Sequence, residues 1–143
     1  GGLRVDFPGG WEGDEFNLFT PEGREACDRY FDGTAMPAGT YADVFDYCRK
    51  LFNWRKTASA IHNGKTLHFM SKGNTYAFFR YNDEQKVFVF VNNSDESRQI
   101  PWSNYSEFIE GPASGVDVIT GEAVTLSDGY EVGPLQTLIV ELN

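Results

Sequence analysis

The stretch G-K-T-L-H-F-M-S-K-G-N-T-Y-A-F-F-R-Y-N-D-E-Q-K-V-F-V-F-V, residues 64–91, is where the period of the sequence changes. Before Gly64 the apolar residues recur at helical spacing. After it they gather in short extended runs rich in β-branched and aromatic side chains, at residues 66–70, 75–81 and 86–91. Polar turns at 71–74 and 82–85 separate the runs, and their Gly, Asn and Asp residues suit chain reversal. Downstream, residues 98–102, 115–119, 123–126 and 137–142 repeat the pattern between turns containing Gly, Pro and Asp. Short strands at this spacing predict a mainly β fold, an antiparallel β-sandwich, over residues 64–143.

Upstream, F-P-G-G-W-E-G-D-E-F-N-L-F at 7–19 reads as an ordered loop, with glycines for unusual backbone angles and aromatic anchors. Residues 21–31 predict a short helix with Thr20 as N-cap, Pro21 at its first position and Glu22 in its first turn, ending near Gly33. A stronger helix comes next, because Thr40 and Asp43 form a T-x-x-D capping signature ahead of Tyr41, Val44, Phe45, Cys48, Leu51 and Phe52 at helical spacing. Trp54 and Ile61 extend that apolar surface, and Asn63-Gly64 supplies a stop. The stripe needs a partner, and so few helical elements cannot enclose it. The expected organisation is a helical segment at 1–63 and a β-domain at 64–143.

Composition narrows the function. Hydrophobic residues make up 41% and aromatic residues 15%, too much apolar surface for a disordered chain. Twelve basic against twenty-one acidic residues leave a formal charge of −9, which disfavours nucleic acid as a partner. The longest apolar run, 87–91, is far below the ~20 residues that span a bilayer. Residues 1–4 lack the apolar core of a signal peptide, so any export signal is expected outside this sequence. Cys27 and Cys48 are the only cysteines and are read as buried free thiols, against a disulfide that would suit an oxidising compartment. His62 and His68 stand outside any catalytic or metal-ligand pattern, and Asp14, Glu15 and Asn17 lack a full calcium-loop signature, so neither metal nor cofactor is expected.

Several motifs in order, L-R-V-D-F-P-G-G-W at 3–11, L-F-N-W-R-K at 51–56 and I-H-N-G-K-T-L-H-F at 61–69, resemble the neopullulanase and cyclomaltodextrinase branch of the α-amylase superfamily, especially its Bacteroides-type members. Y-A-F-F-R-Y at 76–81, V-F-V-F-V-N-N at 87–93 and D-V-I-T-G-E at 117–122 are similar to strands of the β-sandwich that this family calls domain C. The resemblance implies the end of a (β/α)8 barrel followed by domain C, from a retaining glycoside hydrolase acting on α-glucans such as starch, pullulan, maltooligosaccharides or cyclodextrins. Such a mechanism needs two carboxyl groups ~5–5.5 Å apart across the glycosidic bond. These are expected upstream, on a catalytic barrel that would be this chain's partner, so no catalytic residue is assigned here. The resemblance also implies a periplasmic or other extracytoplasmic location, and self-association as a homodimer.

Gly2-Leu3-Arg4-Val5-Asp6 imitates the family's nucleophile motif, but it leads into the terminal helix and β-domain rather than into further strand–helix units. The candidate substrate-binding residues are therefore Arg4, Asp6 and Trp11. Arg4 and Asp6 either line the sugar site or form an internal ion pair that shapes the loop. Trp11 either stacks on a glucose ring or pins the loop. Trp102 and Tyr105 are candidates for a carbohydrate platform on an independent binding module, against a reading as core. Asn92-Asn93-Ser94 and Asn104-Tyr105-Ser106 match the glycosylation sequon without further support.

Overall fold

The computed structural model describes residues 9–14, 16–31 and 39–143. It contains α1 (Pro21–Tyr30), α2 (Thr40–Arg55) and α3 (Ser59–Asn63), followed by β1 (Lys65–His68), β2 (Thr75–Tyr81), β3 (Lys86–Asn92) and β4 (Arg98–Ile100). A 3-10 helix at Trp102–Tyr105 precedes β5 (Ala113–Asp117), β6 (Ala123–Leu126), β7 (Tyr130–Val132) and β8 (Thr137–Leu142). Compactness divides the chain into an N-terminal unit, Gly1–Lys50, and a C-terminal unit, Leu51–Asn143. The element type changes at Gly64. The compact C-terminal unit starts earlier because Leu51, Trp54 and Ala60 pack with residues of the sheet.

In the C-terminal unit the strands form an antiparallel six-stranded sheet in the order β1-β2-β3-β8-β5-β6, and β4 pairs with β7 in a second, two-stranded sheet. This is the mainly antiparallel sandwich that the short β-branched and aromatic runs predict. The register explains why β3 lies at its centre. Phe79, Phe88 and Val140 are cross-strand partners in one row. Phe78, Val89 and Ile139 make the neighbouring row on the opposite face. Val87, Phe88, Val89 and Phe90 are all buried, so both faces of β3 need a cover.

On one face, Phe79, Phe88 and Phe90 join Ile100 of β4, Val132 of β7 and the 3-10 helix residues Trp102 and Tyr105. On the other, Val87, Val89 and Ile139 pack with Ala60 of α3, and with Leu51 and Trp54 at the end of α2. Each fully buried side chain of this size contributes roughly 1.5–3 kcal/mol. Directional contacts fix the helical layer. Trp54 Nε1 donates to Glu141 Oε2 at 2.8 Å. Arg80 donates to the carbonyls of Ala60 and Ile61 at 3.1 and 2.9 Å, satisfying acceptors of the short helix α3. Gln85 Oε1 accepts the Ala60 N–H, and Asn82 donates to Ser59 Oγ. Gly115 lets β5 approach β8, because a Cβ there would lie 2.3 Å from the Glu141 carbonyl oxygen.

Expected and observed elements differ in several places, among them β5, which runs over Ala113–Asp117 where the sequence predicts a strand over 115–119. Trp102 begins the 3-10 helix rather than ending β4, whose pairing stops at Ile100. The three-residue β7 falls outside the predicted strands, being too short to show alternation. Helix α2 opens at Thr40 itself, so Thr40 is inside the first turn and Gly39, whose carbonyl accepts the Asp43 N–H, precedes it. The predicted helix end near Gly33 lies outside the described residues; α1 ends at Tyr30, with Phe31 at its C-cap.

Asn92, at the end of β3, is 1% exposed and ties the two sheets together. Its Nδ2 donates to the carbonyls of Glu96 and Gly133, both at 2.8 Å, and reaches that of Val132 at 3.3 Å. Its Oδ1 accepts from the Ser94 N–H and hydroxyl. A buried polar group left unsatisfied costs about 1–3 kcal/mol. Replacing Asn92 with Ala strands several at once and is expected to lower unfolding stability by about 3 kcal/mol, read as a shift in the urea midpoint.

Candidate functional site

In the N-terminal unit the loop from Gly9 to Thr20 carries the one predicted substrate-binding residue that is described, Trp11. Arg4 and Asp6 lie outside the described residues, as does Glu15. The loop is built on a carboxylate hook, in which Asp14 Oδ2 accepts the backbone N–H groups of Gly10 and Trp11 at 3.0 and 2.9 Å. Gly9 has φ 109°, and a Cβ on it would lie 2.4 Å from Asp14 Cβ, so the hook needs glycine at that position. The Leu18 N–H donates back to the Gly10 carbonyl and closes the loop. Asn17 Oδ1 accepts the Phe19 N–H, and Thr20 caps α1 by accepting the Gly23 N–H, as its position in the sequence predicts.

Buried Phe16 and Leu18 anchor this loop in a cluster with Cys27 and Ala42. Trp11 stays 57% exposed. Its ring lies 5.4 Å from that of Phe19 and 5.6 Å from that of Phe45. Phe19 is also under the Arg49 guanidinium, 5.3 Å from the ring centroid. Arg24 pairs with Asp46 at 2.7 Å, and Asp46 faces Arg49 at 3.8 Å. Trp11 thus does two things together: it packs on the aromatic pair and presents an indole on a pinned loop. This arrangement suits a binding surface, since an indole offers an apolar face and a polar N–H.

Asp14 is not placed as a proton donor. The N–H groups of Trp11 and Gly10 stabilise its charged form and hold its carboxyl below the usual aspartate range. Asp14 and Asn17 thus serve the loop's own backbone. Both cysteines are free; Cys27 is buried, and burial, then the charge of Asp28, push its thiol pKa up.

In the C-terminal unit, Trp102 and Tyr105 are 4% and 5% exposed and belong to the core. Trp102 Nε1 donates to the Gly111 carbonyl at 2.7 Å, and burial pushes the Tyr105 hydroxyl pKa up. They form no exposed platform, because the cover of Phe79 and Phe88 requires them inward. His62 is exposed at the end of α3, and His68 Nδ1 meets the Tyr76 hydroxyl. Asn92 of the first sequon is enclosed, whereas Asn104 of the second is exposed. Sequence alone did not single out Arg80 and Glu141, which hold the helices to the sheet. Their signal was a charged residue on the same strand face as Phe78 and Ile139.

Residues 66–141, from β1 to β8, match the family model described as the cyclo-malto-dextrinase C-terminal domain. The chain belongs to this family. The fold of the cyclo-malto-dextrinase C-terminal domain is similar to that in an α-amylase from Anoxybacillus, with 17% identity and a TM-score of 0.58 over 71% of this chain and 22% of that one. An α-amylase from Geobacillus thermoleovorans, solved with acarbose, gives 14% identity and a TM-score of 0.57, covering 70% of this chain and 23% of that one. The trehalulose synthase of Pseudomonas mesoacidophila gives 22% and 0.51, covering 66% and 17%. The chain thus spans about a fifth of the length of these solved structures.

Loop order is expected to respond to acid in a defined direction. Because the folded-state pKa of Asp14 is depressed, its contribution is fully present above the ordinary aspartate value of 3.8 and is lost as pH falls through the lowered one. Amide exchange at Gly10 and Trp11 should therefore be slow and pH-insensitive in its protection at neutrality. Protection should fall in strong acid, and Asp14→Ala should abolish it at every pH.

Proposed function

We propose that this chain is the non-catalytic C-terminal portion of a glycoside hydrolase acting on α-glucans, and that its β-domain stabilises the catalytic barrel. The observation that carries the reading is the family match over residues 66–141, which takes in the sheet from β1 to β8. On this reading residues 1–63 are the closing loop and helices of the barrel, and residues 64–143 are domain C. The preferred substrate belongs to the neopullulanase and cyclomaltodextrinase range: maltooligosaccharides, pullulan or cyclodextrins.

Exposed apolar side chains support a missing partner. Within the N-terminal unit, Trp11, Phe19, Tyr30 and Val44 are 57%, 47%, 54% and 56% exposed. Val44, Cys48 and Phe52 recur every four residues along α2, yet Phe52 is 58% exposed. A helix stripe of this kind is normally buried against another element. In the proposed enzyme the barrel supplies that cover, and Arg4, Asp6 and Trp11 stand beside its sugar site. Their role there is to bind and orient substrate, while carboxylates upstream carry out glycosyl transfer.

The same exposed side chains favour a second reading, an interaction module that forms a homodimer. Sedimentation over a range of concentrations separates the two: a defined dimer supports the module, and a monomer that binds a hydrophobic dye supports the barrel fragment.

The purified chain is expected to release no reducing sugar from maltooligosaccharide, pullulan or cyclodextrin. Turnover that disappears in Asp6→Asn would overturn the non-catalytic assignment.

A further inference from the structure

We infer that a cleft in the C-terminal unit, between the 3-10 helix and the turn carrying Ser127 and Asp128, binds one pyranose unit of a neutral α-glucan. The cleft measures about 440 Å³, within the range of small-molecule sites. Trp102, Ile109 and Pro112 give it an apolar component, and Ser103, Ser106 and Ser127 line it with hydroxyls. Asp128 is the one ionisable residue in the lining.

The polar groups are available for a ligand. Among the described residues, the three serine hydroxyls make no hydrogen bond to another protein group. Asp128 is held in place because its Oδ1 accepts the Ser103 N–H at 2.8 Å, and its Oδ2 has no partner among the described residues. A carboxylate accepts only, whereas hydroxyls donate and accept. Together they match a vicinal set of sugar hydroxyls. A carboxylate without a cation in the lining repels anions, which disfavours uronic acids and sugar phosphates, and the surrounding hydroxyls suit an uncharged sugar.

Trp102 is too buried to offer a ring face, so binding rests on hydrogen bonds and shape without stacking. A site of that type has a dissociation constant on the order of 1–10 mM. The choice of an α-glucan rests on the function proposed above; the neutral-sugar site rests on the cleft itself.

The test is a titration of the ¹⁵N-labelled chain with maltotriose. Saturating shifts are expected at the amides of Ser103, Ser106, Ser127 and Asp128. Ser106→Trp, at an exposed position, should fill the cleft and weaken binding at least tenfold with an unchanged thermal midpoint. Ser127→Ala, which removes a hydroxyl without adding bulk, should weaken it several-fold. Absence of saturable shifts, or shifts that survive Ser106→Trp in a folded protein, overturns the site. Cellotriose binding as well as maltotriose would keep the neutral-sugar site and count against the α-glucan reading.

Discussion

The structure of the C-terminal unit depends on one constraint: β3 is apolar on both of its faces. Four consecutive side chains, Val87 to Phe90, are withdrawn from water. A strand with alternating polarity can leave one face wet, but this one cannot. The two-stranded sheet and the 3-10 helix meet the demand on the Phe88 face. On the Val87 face it is met by α3 and the last turn of α2. This is why the helical segment and the strands cannot be separated cleanly at Gly64, although the sequence changes period there. The central strand β3 is covered on that face by residues that precede the sheet in the chain.

Burial alone would not fix how those layers sit, because apolar contact is non-directional. Polar side chains at the margins supply the direction. Across Val87 in the register stand Arg80 on β2 and Glu141 on β8. Arg80 holds the carbonyls of α3, and Glu141 holds the indole of Trp54. On the other side of the sandwich, Asn92 joins the end of β3 to the segment just after β7. Removing one partner from such a network leaves the others buried and unpaired, so these residues specify arrangement more than they add net attraction.

The legible parts of the sequence were those whose signals are local. Strands β2, β3, β6 and β8 could be bounded because their β-branched and aromatic runs and the turn residues flanking them are local signals, and Thr20 announced the start of α1 by its own side chain. Strand β7 could not, since three residues hold no period and its pairing with β4 is about thirty residues distant in sequence. Trp102 resembled a strand residue, but it opens a 3-10 turn in which Asp128, twenty-five residues on from Ser103, accepts the Ser103 N–H. The candidate site was legible in part for the same reason. The glycine and aspartate pattern marked an ordered loop around Trp11, but the cleft near Ser127 is assembled from segments that carry no motif.

Several of the chain's acidic groups are engaged by its own donors. A catalytic acid needs a pKa raised toward neutrality, and a nucleophile needs its charge free to meet an anomeric carbon. Here, Asp14 is drawn the other way by two backbone N–H groups, and Asp117 accepts those of Ile119 and Thr120 in the turn after β5. Asp46 is paired with Arg24, and Glu141 with Trp54. Each of these carboxylates is thus tied to a donor of the chain itself, and through it a turn or an element is fixed. Negative charge organised in this way serves local architecture: a hooked loop around Trp11, the turn after β5, a pairing between helices α1 and α2, and the seat of the Trp54 indole on β8.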